Sequence, residues 1–179
     1  PGENITFNKA GSESGAKIYY YVETLNGASG DTTYKGKSYK QYKVIDLEYD
    51  GWARLTYKEE FHPITGFTQG DSDPYLPKDG KFKMKQNNYL YYTRNSYELS
   101  FYNYNAEVDG KGGSVQYEAP LSSYSFEPEY PDKLEKNAYV FDGWYTTSGC
   151  YEGSKADLST LTMPASDLVL YAKWVPKTH

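Results

Sequence analysis

The chain has 179 residues, a formal net charge of -5 and an aromatic fraction of 18% that includes 22 tyrosines. No Lys/Arg block accompanies that charge, which argues against nucleic acid or an anionic membrane as a partner. The aromatic content argues against disorder, and the length suits one or two small domains.

Taken in chain order, the apolar residues recur with period two, the spacing of strands. The runs are Lys17–Glu23, Tyr89–Thr93, Tyr97–Tyr102, Val115–Tyr117 and Leu168–Trp174. Gly, Asn, Asp and Pro punctuate them, as strand boundaries require. Tyrosine is a good strand former with a large apolar face and a polar tip, so it can build a core where Leu would otherwise serve. Short helical turns are expected only at Leu121–Tyr124 and Asp157–Leu161, the latter capped by Asp157 or Ser154. Gly110-Lys111-Gly112-Gly113 reads as a hairpin turn.

One pattern occurs twice. Asp50-Gly51-Trp52 returns as Asp142-Gly143-Trp144, and Met84–Arg94 aligns without gaps on Met163–Lys173. The alternative is two β domains that share turn chemistry by chance. The expected division is residues 1–95, carrying an insertion at about 58–80, and residues 96–176, with the boundary at Arg94-Asn95-Ser96. A linker this short keeps modules from tumbling freely. Each module should be roughly 30 Å across, so two end to end would form a stiff rod about 60 Å long. The chain starts at Pro1 rather than Met and stops at His179, and both ends read as cut from something longer.

Reactive constellations are sparse. A hydrolytic triad needs a histidine, and the chain has only His62, in a Phe-His-Pro loop signal, and the terminal His179. Glu59 and Glu60 are neighbours, which in a strand point to opposite faces and cannot serve one substrate. Asp71 and Asp73 alternate, but the further oxygen ligands of a calcium loop are absent. Cys150 is a single cysteine in a Ser-Gly-Cys loop and has no internal disulfide partner. Gly110–Gly113 lacks the spacing and the following Ser/Thr of a phosphate loop. No catalytic, cofactor-binding or metal-binding residue is assigned.

The C-terminal half resembles the internalin-type B-repeat (Listeria–Bacteroides repeat) family over about residues 97–174. The resemblance rests on the strand Tyr97–Asn103, the strand ending Val115-Gln116-Tyr117-Glu118-Ala119-Pro120, the segment Glu127-Pro128-Glu129-Tyr130-Pro131, Phe141-Asp142-Gly143-Trp144-Tyr145, and the closing Met163–Trp174. The N-terminal half is only loosely similar to β-grasp adhesin repeats of the mucin-binding type, through Lys17–Glu23, Tyr34-Lys35-Gly36 and Asp50-Gly51-Trp52. The resemblance implies a mostly β protein of two tandem β-grasp, ubiquitin-like modules with curled mixed sheets. It also implies an extracellular place on a bacterial surface or cell wall, Gram-positive in many cases, and no catalytic residues. Two function classes follow. One is a non-catalytic stalk or spacer of an adhesin, monomeric within a longer multi-repeat chain. The other is an adhesin module that takes a host surface protein or glycan through exposed aromatics. Three or more coplanar exposed rings would favour glycan, and scattered single ones a tyrosine-built core.

Overall fold

Two mixed β-sheets carry the chain. The structure, a computed structural model, describes residues 17–46, 63–73 and 87–178, with side chains at 71–73 excepted. These residues fall into two units, Pro1–Arg94 and Asn95–His179. Among the described residues the helical elements are single 3-10 turns at Leu25–Gly27, Ser122–Tyr124 and Glu152–Ser154. Among the described residues, neither sheet closes into a barrel.

The first unit contains β1 (Lys17–Glu23), β2 (Thr32–Tyr34), β3 (Lys37–Asp46), β4 (Phe67–Asp73) and β5 (Asn88–Arg94), in the sheet order β2-β3-β1-β5-β4. β1 and β5 run parallel at the centre, Ile18–Val22 against Asn88–Tyr92. Every other pairing in this sheet is antiparallel. Side chains alternate across a strand, so one face takes Ile18, Tyr20, Leu90 and Tyr92, all nearly fully buried. Val22, Ile45, Ile64 and Phe67 pack against them.

The second unit contains β6 (Ser96–Asn103), β7 (Ala106–Glu107), β8 (Gly113–Gln116), β9 (Tyr139–Tyr145), β10 (Lys155–Ala156) and β11 (Leu168–Pro176). The sheet order is β10-β9-β11-β6, and β7 and β8 both lie along the outer edge of β6. The centre is again a parallel pair of the first and last strands, Leu99–Tyr102 against Leu168–Tyr171. Leu99, Phe101 and Leu170 are buried on its core face. Phe126, from the connection between β8 and β9, packs its ring against Phe101 and Trp144 at centroid distances of 5.0 and 5.1 Å. Leu121 and Met163 complete this core.

Two expectations change in detail, and the turn at Asp157–Leu161 is found with Asp157 as its cap. Gly110–Gly113 is not a hairpin turn: β7 and β8 pair with β6, not with each other, so the glycines carry the chain along one edge. Gly112 has φ +83, and a Cβ there would run into the Leu99 carbonyl. Asp157–Leu161 forms a single hydrogen-bonded turn, in which the Asp157 side chain accepts from the Ser159 amide at 3.0 Å. The gapless alignment of Met84–Arg94 on Met163–Lys173 is one residue out of phase, because it sets Leu90 on Val169. In the two parallel pairs Leu90 faces Tyr20 and Leu170 faces Phe101, so Leu90 and Leu170 are the equivalent core residues. A one-residue slip moves a strand's whole side-chain set to the other face.

Candidate functional site

In each unit the central parallel seam gathers the polar and aromatic side chains that sequence alone left scattered. Asn87 directly precedes β5, and its Oδ1 accepts the Lys17 backbone amide at 3.2 Å. Asp167 directly precedes β11, and its Oδ1 accepts the Glu98 amide at 2.8 Å. In both cases the residue ahead of the last strand fastens the start of the first strand. The far ends are fastened too. Arg94 donates Nε to the Glu23 carbonyl at 3.2 Å, and its amide donates to the Glu23 carboxylate at 3.0 Å. Trp174 donates Nε1 to Asn103 Oδ1 at 2.8 Å. The gapless alignment sets Asp167 on Asn88; the register makes Asn87 its counterpart.

The face of the first sheet opposite its core carries a grid of tyrosines. Tyr19 stacks on Tyr89 at 5.3 Å and Tyr21 on Tyr91 at 5.6 Å, each pair directly across the seam. Tyr19 also stacks on Tyr21 at 6.2 Å, and Tyr34 lies flat on Tyr91 at 4.0 Å with an interplanar angle of 2°. Tyr39 meets Tyr91 edge-on. Burial, with neighbouring Tyr89 and Tyr19 adding to it, raises the Tyr21 pKa above its ordinary value. Stacked rings turn their flat faces toward one another. That is unlike the coplanar array a sugar ring needs. The large aromatics most open to solvent among the described residues, Tyr42, Tyr104 and Tyr151, come from separate elements. Tyr42 is exposed where β3 bulges, since Tyr20 faces Lys43 and Tyr21 faces Gln41.

Asp142-Gly143-Trp144 makes a bulge in β9. Lys173 faces Gly143 and Trp174 faces Phe141, which leaves Asp142 unopposed. Gly143 has φ +130, a conformation that other residues rarely adopt. The bulge lets Trp144 enter the core against Phe101, 4.8 Å between centroids, with Nε1 donating to the Phe126 carbonyl at 3.1 Å. It turns Asp142 toward Tyr145, whose hydroxyl donates to Asp142 Oδ2 at 2.5 Å. Lys155 lies 3.7 Å from Asp142, and the Lys173 ammonium sits over the Tyr145 ring at 5.0 Å. The Tyr145 hydrogen bond, helped by Lys155 and Lys173, lowers the Asp142 pKa. The same bond, reinforced by burial, pushes Tyr145 up to about 12. The pair therefore stays as carboxylate and neutral phenol around neutral pH, which is a fixed hydrogen bond rather than a proton relay.

Cys150 is half-buried, with Sγ 3.9 Å from the Ala172 carbonyl, and burial raises its pKa above the usual thiol value. That disfavours the nucleophilic thiolate. Asp71 and Asp73 lie in β4, with side chains outside the described set. Glu59, Glu60, His62, His179, Asp50-Gly51-Trp52 and Met84 lie outside the described residues. Among the described residues no cluster of three or more His, Cys, Asp or Glu is disposed to hold a metal. None of the described helices is long and apolar enough to cross a membrane.

Residues 97–173 match the Listeria-Bacteroides repeat domain. The second unit is similar to the Listeria-Bacteroides repeat family. The match begins in β6 and ends in β11, so the repeat opens and closes on the two strands of the seam. The match reaches to within a residue of Trp174, and so takes in the Asp142–Trp144 bulge and Asp167.

Proposed function

We propose that this chain is a non-catalytic repeat region of a bacterial cell-surface protein, extracellular and cell-wall-associated, in which two tandem β-grasp modules act as a stalk or spacer. The match of residues 97–173 to the Listeria-Bacteroides repeat carries this reading. The mixed sheets support the β-grasp assignment, because among the described residues each centres on a parallel pair of its first and last strands and shows only 3-10 turns for helix. A spacer needs no cofactor, and its unit is the single chain within a longer array of repeats. The tyrosine grid favours it as well, since rings spent on one another hold a sheet together.

The alternative is an adhesin module that binds host protein or glycan. Its best surface is an open groove in the second unit where Tyr104, Phe126 and Tyr130 lie beside Glu107, Asp109 and Glu129. Titration of the chain with a panel of host oligosaccharides and with soluble mucin, followed by tryptophan fluorescence and amide chemical shifts, separates the two. The spacer reading expects no saturable change. Saturable binding that Tyr104→Ala abolishes would establish the adhesin reading in its place.

A further inference from the structure

We propose that the central seam of each unit is a shear clamp, which holds the unit folded when the chain is pulled from end to end. In the second unit the chain enters at the start of β6 and leaves at the end of β11. These strands are neighbours and run parallel over Leu99–Tyr102 and Leu168–Tyr171. Tension along the chain therefore draws them in opposite directions along their common axis. In that geometry the ladder's hydrogen bonds are loaded together and must fail together. If the strands were instead peeled from one end, the bonds would break one after another. The first unit repeats the geometry, with Ile18–Val22 against Asn88–Tyr92.

Side chains outside the ladder reinforce both seams at the places where sliding would start. Asp167 to the Glu98 amide and Trp174 to Asn103 fasten the two ends in the second unit. Asn87 to the Lys17 amide and Arg94 to Glu23 do so in the first. The stacks Tyr19–Tyr89 and Tyr21–Tyr91 cross the first seam, and the tilted pair Tyr102–Tyr171, at 5.8 Å, crosses the second. Sliding by one residue would take each ring off its partner. Between the seams the chain runs from the end of β5 at Arg94 to the start of β6 at Ser96 through Asn95 alone, so tension passes from one clamp to the next without a slack loop.

The biological use of such a clamp rests on the spacer reading, but the mechanical property does not. The test is single-molecule force spectroscopy on the full chain carrying Cys150→Ser, in two attachments. One holds the chain by its two ends. The other holds it at Tyr104→Cys and at the C-terminal end, which pulls β6 and β11 apart from the same side. The second unit is expected to yield at several-fold higher force when pulled end to end. Equal forces in the two attachments would overturn the clamp and leave the spacer reading intact; saturable oligosaccharide binding would do the reverse. Asp167→Ala, held by the ends, is expected to lower the unfolding force of the second unit and leave that of the first unchanged. An unchanged force in the second unit would overturn the role given to Asp167.

Discussion

Tyr145 and Asp142 tie stability to pH at both extremes. Asp142 has a folded pKa below its unfolded value of about 3.9, so its contribution is complete above that pH and is lost as the pH falls through the lowered folded value. Tyr145 is the opposite case: raised from 10.0 to about 12, it contributes fully below pH 10 and loses that contribution as the pH climbs between the two values. Tyr145→Phe removes the shared bond, so its chemical-denaturation stability should vary less with pH than wild type on both the acid and the alkaline side. Core residues behave differently. Phe101 and Leu170 are fully buried at the seam, and Phe101→Ala or Leu170→Ala should cost about 2–5 kcal/mol at any pH. Tyr151→Ala, at a side chain 70% exposed, should stay within about 0.5 kcal/mol.

At the scale of single elements, the β9 bulge and the seam strands show what sequence can and cannot specify. Lys17–Glu23, Tyr97–Tyr102 and Leu168–Trp174 were legible because alternation, β-branched and aromatic residues and flanking turn formers all agree there. β3 was missed. Its Lys37–Asp46 run is lysine-rich and buries fully only Tyr39, so it presents no apolar face to recognise. Register was lost in β5 because Tyr89, Leu90, Tyr91 and Tyr92 offer large apolar surface to both faces. Alternation then fixes nothing, and the one-residue slip goes unseen. Gly143 was legible only as part of the recurring Asp-Gly-Trp, while the bulge that requires it was not, since a bulge is defined by the partner strand. Gly143→Ala should cost about 1–3 kcal/mol, because alanine strains at φ +130. The space itself is forgiving, as the nearest obstacle is the flexible end of Lys155. Matched urea curves for Gly143→Ala and Gly153→Ala would check this, because a Cβ at Gly153 meets nothing within 4 Å and φ there is not positive.

At the scale of the whole molecule, the candidate site proved to be a property of topology more than of any motif. No local spacing in the sequence announces that Asn87 and Asp167 do the same work, because each acts on an amide about seventy positions away, 70 and 69 respectively. The core of the second unit draws on residues from Leu99 to Leu170, all within the matched repeat. A fragment of residues 95–178 should therefore fold alone, with Trp144 indole and Leu170 methyl chemical shifts that superpose on those of the full chain. A fragment with collapsed dispersion would show that the repeat needs its neighbour.

The seam also sets the order in which a unit can form. The β9–β10 turn and the β6–β7 hairpin close locally, but β11 joins β6 only after nearly the whole repeat has been made. Loop-closure entropy must be met before that pairing returns any stabilisation, so refolding should fall in the millisecond-to-second range of non-local β proteins. During synthesis β6 waits with one edge unpaired until the final strand leaves the ribosome. The repeat is thus completed by its own last residues.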